Sequence, residues 1–110
     1  MTRERDLEAV RIQGKRIRTA QLEVRYIASP LRRPRVGVIV PRFGQTAVAR
    51  NALKRRLREL VRIEVLPFMP AVDAVIRALP SAYGVSFDTL RTTLQRAAER
   101  LPRTAEESAL

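Results

Sequence analysis

The 110-residue sequence contains no cysteine, no histidine and no tryptophan. Without cysteine there is neither a disulfide framework nor a thiolate metal site. Without histidine, nucleophilic triads built on imidazole and histidine metal sites are excluded. Acids are scarce where cations are dense: residues 32–62 hold ten cations and one acid. The eleven acids are scattered, and no paired-carboxylate motif or Gly-rich phosphate loop is present, so the clustered carboxylates that a Mg²⁺-dependent protein nuclease needs are missing. No apolar run approaches the roughly 18 residues of a membrane span. The first five residues, Met1 to Arg5, are charged and carry no apolar signal core. Together with the lack of cysteine, this makes a reducing, cytoplasmic compartment the expectation. There are no internal repeats and no low-complexity segments.

What is present is arginine. Of 22 cations, 20 are arginine, set against 11 acids for a net charge of +11. The charge is uneven: residues 1–31 carry +3, residues 32–62 carry +9 and residues 63–110 carry −1. That asymmetry implies one basic face, the footprint of a polyanion binder, rather than general stickiness. With 45% apolar residues, a single domain over 1–110 has the material for a core burying about two-thirds of its unfolded surface.

Hydrophobic periodicity outlines the elements. Residues 5–13 suit a short helix with Leu7, Val10 and Ile12 on one side, ended by Gly14. Residues 15–28 read as extended, with Ile17, Leu22, Val24 and Tyr26 alternating against Arg18, Glu23 and Arg25. Ser29 to Pro34 is a loop. Val36 to Val40 suits a buried strand, whose pairing Pro41 limits. Thr46 is placed to cap a helix that Pro67 and Pro70 stop. Residues 72–79 suit a second buried strand. Ser86 can cap a last helix whose stripe is Phe87, Leu90, Leu94, Ala97, Ala98 and Leu101. Residues 102–110 are polar and small, and a disordered tail is expected there, leaving about 5–101 as the ordered part. The order α-β-β-β-α-β-α indicates an α/β sandwich, a sheet with helices packed on it.

The helix after Thr46 carries the chemistry. At about 100° per residue, Arg50, Asn51, Lys54, Arg55, Arg58 and Arg62 fall within an arc of roughly 140°, while Ala49, Leu53, Leu57, Leu60 and Val61 occupy the neighbouring arc. One face packs on a core and the next presents cations that suit a phosphate backbone, where each displaces condensed counterions and arginine binds bidentately. A solvated face usually mixes signs for i,i+4 pairing, and this arc holds no acid. Glu59 is placed to pair with Arg55 or Arg62. Asp73 suits a salt bridge to a basic neighbour. Tyr26, Phe43 and Tyr83 suit core or edge packing, with base stacking as the functional alternative.

The run Arg35 to Arg42, then Ala47-Val48-Ala49-Arg50-Asn51, Lys54-Arg55 and Arg58-Glu59, resembles the bacterial ribonuclease P protein component family. Asp6-Leu7 with Val10 and Gly14-Lys15-Arg16, Asp73 to Arg77, and Ser86-Phe87 through Leu94 match flanking segments, so the resemblance spans about residues 6–101. It implies a ribosomal-protein-S5-domain-2-like fold with a left-handed β-α-β crossover. It also implies a small subunit, monomeric within its complex, whose large catalytic RNA removes the 5′ leader of precursor tRNA with Mg²⁺ bound mainly by the RNA. The resemblance assigns Arg42, Arg50, Asn51, Lys54, Arg55, Arg58 and Arg62 to that RNA. Leu7, Arg11, Arg25 and Tyr26 become candidates for a leader cleft between the sheet and the N-terminal helix. Three departures stand out: Ala52 replaces the last cation of an Arg-Asn-Arg motif, Leu7 and Arg11 stand where aromatic residues are common, and Gly44 is displaced from its usual place before Ala47-Val48. A general structured-RNA-binding protein or RNA chaperone is the main alternative. A metal-dependent nuclease and a DNA-binding helix-turn-helix are weaker ones.

Overall fold

Alternation of apolar and charged side chains builds the sheet. In the computed structural model, which describes residues 10, 12, 14–29 and 33–101, β1 (Lys15–Arg18) and β2 (Leu22–Ala28) form an antiparallel hairpin. The two strands expected before Val36 are joined by a turn at Thr19, whose backbone N–H donates to the Leu22 carbonyl at 2.8 Å while its hydroxyl accepts from the Leu22 N–H at 3.0 Å. β3 (Arg35–Ile39) and β4 (Val72–Ala78) pair in parallel, and β2 pairs antiparallel with β4, giving the order β1-β2-β4-β3. A parallel pair needs a crossover. Here it runs through α1 (Ala47–Leu60). The last helix, α2 (Phe87–Glu99), follows β4.

One face of the sheet carries the core. Ile17, Val24 and Ile76 share one cross-strand row, Leu22 and Ala78 another. They join Leu53, Leu57 and Leu60 of α1 and Leu90, Leu94 and Ala97 of α2 in one buried cluster. Burying each leucine contributes about 1.5–3 kcal/mol. Thr93, also buried on α2, donates its hydroxyl to Gln21 Oε1 at 2.9 Å, so its polar atom is satisfied. The caps are as expected: Thr46 accepts from the Ala49 N–H and Ser86 from the Thr89 N–H, both at 3.1 Å.

Four expectations need correction. Val36–Val40 is not a fully buried strand: β3 lies at the sheet edge, Ile39 is exposed, and Val40 is buried just beyond the strand's end. Phe87 is 41% exposed and leaves the α2 stripe, because it is the first helical residue and lies at the rim, with the Arg91 guanidinium 6.0 Å from its ring centroid. Ile12 is exposed although Val10 is fully buried. Pro67 does not end the helix outright. Past Leu60 the chain widens over Val61–Val65, with the Leu66 N–H reaching back five residues to the Val61 carbonyl, then tightens over Leu66–Phe68. A proline ring crowds the carbonyl four residues before it, and widening relieves that crowding.

Gly14 is required where it stands. Its N–H closes a helical turn on the Val10 carbonyl at 2.8 Å, and a Cβ there would lie 2.2 Å from that same oxygen. The rest of the helix expected over 5–13, with Leu7 and Arg11, lies outside the described residues, as does the tail 102–110.

Candidate nucleic-acid interface

Leu53, Leu57 and Leu60 fix the rotation of α1 by facing the core, and that rotation decides where its cations go. Asn51, Lys54, Arg55, Arg58, Glu59 and Arg62 line one open groove of about 510 Å³. The groove draws together five of the seven residues assigned above to RNA. Arg56 projects from another side of the helix and does not line it.

The cations of the groove are not equivalent. Partial desolvation, then repulsion from Arg58 and Arg50, holds the Lys54 ammonium below its ordinary pKa. Like charges are thus crowded there without a compensating acid, a state that an incoming polyanion relieves. Arg62 is already committed: its Nη2 donates to Glu59 Oε1 at 2.6 Å and its Nε to Oε2 at 3.4 Å. The same hydrogen bond lowers the Glu59 pKa and raises that of Arg62. Of the two partners expected for Glu59, Arg62 is the one engaged.

Arg50 and Arg42 stand outside the groove. Arg50 is half-buried, and its Nε donates to the Val40 carbonyl at 2.9 Å, tying α1 to the end of β3. Arg42 is exposed and opens a tight turn, Arg42 to Gln45, closed by the Gln45 N–H on the Arg42 carbonyl at 2.8 Å. Both central residues have positive φ, 49° at Phe43 and 82° at Gly44, the signature of a type I′ turn.

A second basic surface lies on the face of the sheet opposite the main core. Arg16, Arg25 and Val75 share a row there, as do Arg18, Glu23 and Arg77, and Asp73 and Arg35. Five arginines face two acids. Glu23 accepts from Arg25 Nε at 2.9 Å and lies 4.0 Å from Arg16 Nη1. Asp73, buried, holds Arg35 through two hydrogen bonds of 2.8 and 2.5 Å, the salt bridge expected of it. Arg18 and Arg77 project into solvent. Of the cleft candidates, Arg25 lies on this surface. Tyr26 faces the other way and packs at the edge of the core. Successive strand residues point to opposite faces, so Arg25 and Tyr26 do not line one cleft. Leu7 and Arg11 are outside the described residues. Sequence reasoning missed Arg16, Arg18 and Arg77. The one signal in the sequence is Arg77, the lone cation of the apolar run 72–79, and it is the one exposed position of β4.

Among the described residues, no three acids gather where they could hold a metal ion, and no helix is long and apolar enough to cross a membrane.

Comparison with known proteins places this arrangement. A family profile described as Ribonuclease P matches residues 1–102. The ribonuclease P protein component of Acidothermus cellulolyticus is 35% identical over 108 residues, covering 94% of this chain and 88% of the relative. That of Syntrophobacter fumaroxidans is 37% identical, covering 74% and 69%. The Arthrobacter protein of the same name is 39% identical over 79 residues, and there the match spans 58% of the relative's length. Among solved structures, the RNase P protein from Thermotoga maritima superposes with a TM-score of 0.83 at 26% identity, covering 93% of this chain and 99% of that one. The Staphylococcus aureus RNase P protein shares the fold, with a TM-score of 0.82 at 20% identity, covering 90% and 91%.

Proposed function

Because the chain belongs to the ribonuclease P protein family, we propose that it is the non-catalytic protein subunit of that ribonucleoprotein, binding the catalytic RNA and the 5′ leader of precursor tRNA. The observation that carries this reading is the groove on α1, where Lys54, Arg55 and Arg58 crowd beside Asn51 and the sole acid is occupied by Arg62. In the complex, the groove neutralises closely spaced phosphates of the catalytic RNA and releases their counterions. Arginine forks grip phosphate oxygens in pairs. The Asn51 amide hydrogen-bonds a base or ribose.

The far face of the sheet is the surface for the leader, a single strand. Arg16, Arg18, Arg25 and Arg77 follow its backbone, and the planar guanidiniums stack on unpaired bases. Leu7 and Arg11, the remaining leader candidates, lie outside the described residues. The two basic surfaces lie on different layers of the fold, so one chain engages both RNAs at once.

Mg²⁺ belongs to the RNA in this reading. The described acids do not fit a protein metal site: they do not gather in threes, Glu59 is taken by Arg62, and Asp73 is buried against Arg35. By supplying fixed cations, the protein lowers the Mg²⁺ that the RNA needs. A competition assay tests the assignment. Labelled ribonuclease P RNA held by the protein resists displacement by an unrelated structured RNA of equal length. Equal displacement by both RNAs would instead support a general RNA-binding module.

A further inference from the structure

The turn between β3 and α1 displays an aromatic ring in a way that packing does not explain. Phe43 is 43% exposed and lies outside the hydrophobic cluster. Its φ of 49° places a bulky residue in the left-handed region, which sterics disfavour for side chains of this size. Glycine follows at position 44, so the turn tolerates positive φ there without cost. At Phe43 it does not. Three contacts hold this conformation. The Tyr83 hydroxyl donates to the Pro41 carbonyl at 2.6 Å, Arg50 Nε donates to the Val40 carbonyl at 2.9 Å, and the Gln45 N–H closes the turn on Arg42. The ring therefore sits on a fixed pedestal, flanked by the exposed Arg42 and followed at once by the basic helix. Strained conformations persist where surrounding structure over-determines them, and they concentrate at binding sites.

We propose that Phe43 is a stacking platform for an unpaired base of the RNA bound along α1, with Arg42 taking the adjacent phosphate, and that Arg50 and Tyr83 act as positioning residues beneath it. The proposal rests on the RNA-binding reading above and adds a base contact to a surface otherwise made of charge. Stacking accepts any base and is insensitive to salt, whereas phosphate contacts are not. The two contributions are therefore separable in one titration.

The test uses the full chain and a bacterial ribonuclease P RNA. Replacing a stacked aromatic costs about 5- to 150-fold in affinity, so Phe43→Gly is expected to weaken binding by at least fivefold with an unchanged salt slope. Because glycine adopts the turn's φ freely, its melting temperature does not fall, which separates loss of contact from loss of fold. Phe43→Trp introduces the chain's sole indole. It retains affinity, and its fluorescence is quenched on addition of RNA. Wild-type affinity in Phe43→Gly, or an unquenched indole in the bound Phe43→Trp protein, overturns the platform while leaving the RNA-binding reading intact. Failure of the unaltered chain to bind the RNA removes both.

Discussion

The Glu59–Arg62 pair makes a quantitative prediction about the groove. Four cations line it, but Arg62 is masked by Glu59. Each phosphate neutralised contributes about 0.7–0.9 to the slope of log K against log [salt], depending on whether the RNA is single- or double-stranded. Lys54, Arg55 and Arg58 therefore account for a slope of about −2 to −3. Glu59→Gln releases Arg62 and steepens the slope by roughly one contact. Between 50 and 200 mM salt one such contact changes affinity by about threefold, so Glu59→Gln binds more tightly at the low end of that range. Arg58→Ala moves the slope by the same amount in the opposite direction. The double variant Glu59→Gln with Arg62→Ala returns to the original slope. Both partners are exposed, and exposed pairs contribute little to stability, so melting temperatures stay nearly constant across the set. Fluorescence anisotropy of labelled ribonuclease P RNA over that salt range reads all four proteins. An unchanged or shallower slope in Glu59→Gln would refute the reasoning, because Arg62 would then not face the RNA.

Three further outcomes are expected. Lys54 binds phosphate only when charged, and its pKa is lowered. Affinity therefore falls as pH rises through a point below the ordinary lysine range, and Lys54→Arg abolishes that step in a pH titration of binding. Leu57→Ala removes a fully buried side chain beneath the groove and costs about 2–5 kcal/mol in urea unfolding. Asp73→Asn leaves Arg35 without its buried carboxylate partner and destabilises by about 3 kcal/mol, measured the same way.

Local signals were legible in the sequence, and pairings between distant segments were not. The α1 cap at Thr46, its leucine face and its cationic arc follow from spacing within 15 residues, and the structure reproduces them. So does the α2 stripe, apart from Phe87 at its rim. Periodicity could not show that β3 pairs in parallel with β4 and stands at an edge, because strand order is set by contacts between distant segments. For the same reason the second basic surface was not legible as a unit: Arg16 and Arg18 of β1 and Arg77 of β4 come from distant segments that share one face of the sheet. Within the arc, spacing could not distinguish a cation free to bind from one already engaged. Arg50 is turned onto the Val40 carbonyl and Arg62 onto Glu59, while Lys54, Arg55 and Arg58 remain in the groove. The resemblance groups Arg25 and Tyr26 as cleft candidates, yet strand geometry sends them to opposite faces.

Cleavage of a precursor tRNA at low millimolar Mg²⁺ tests the central claim most directly, comparing the cognate catalytic RNA alone, the protein alone and both together. Efficient removal of the 5′ leader is expected only when RNA and protein are combined. Leader removal by the protein alone, or a combination no faster than the RNA alone, would contradict that claim.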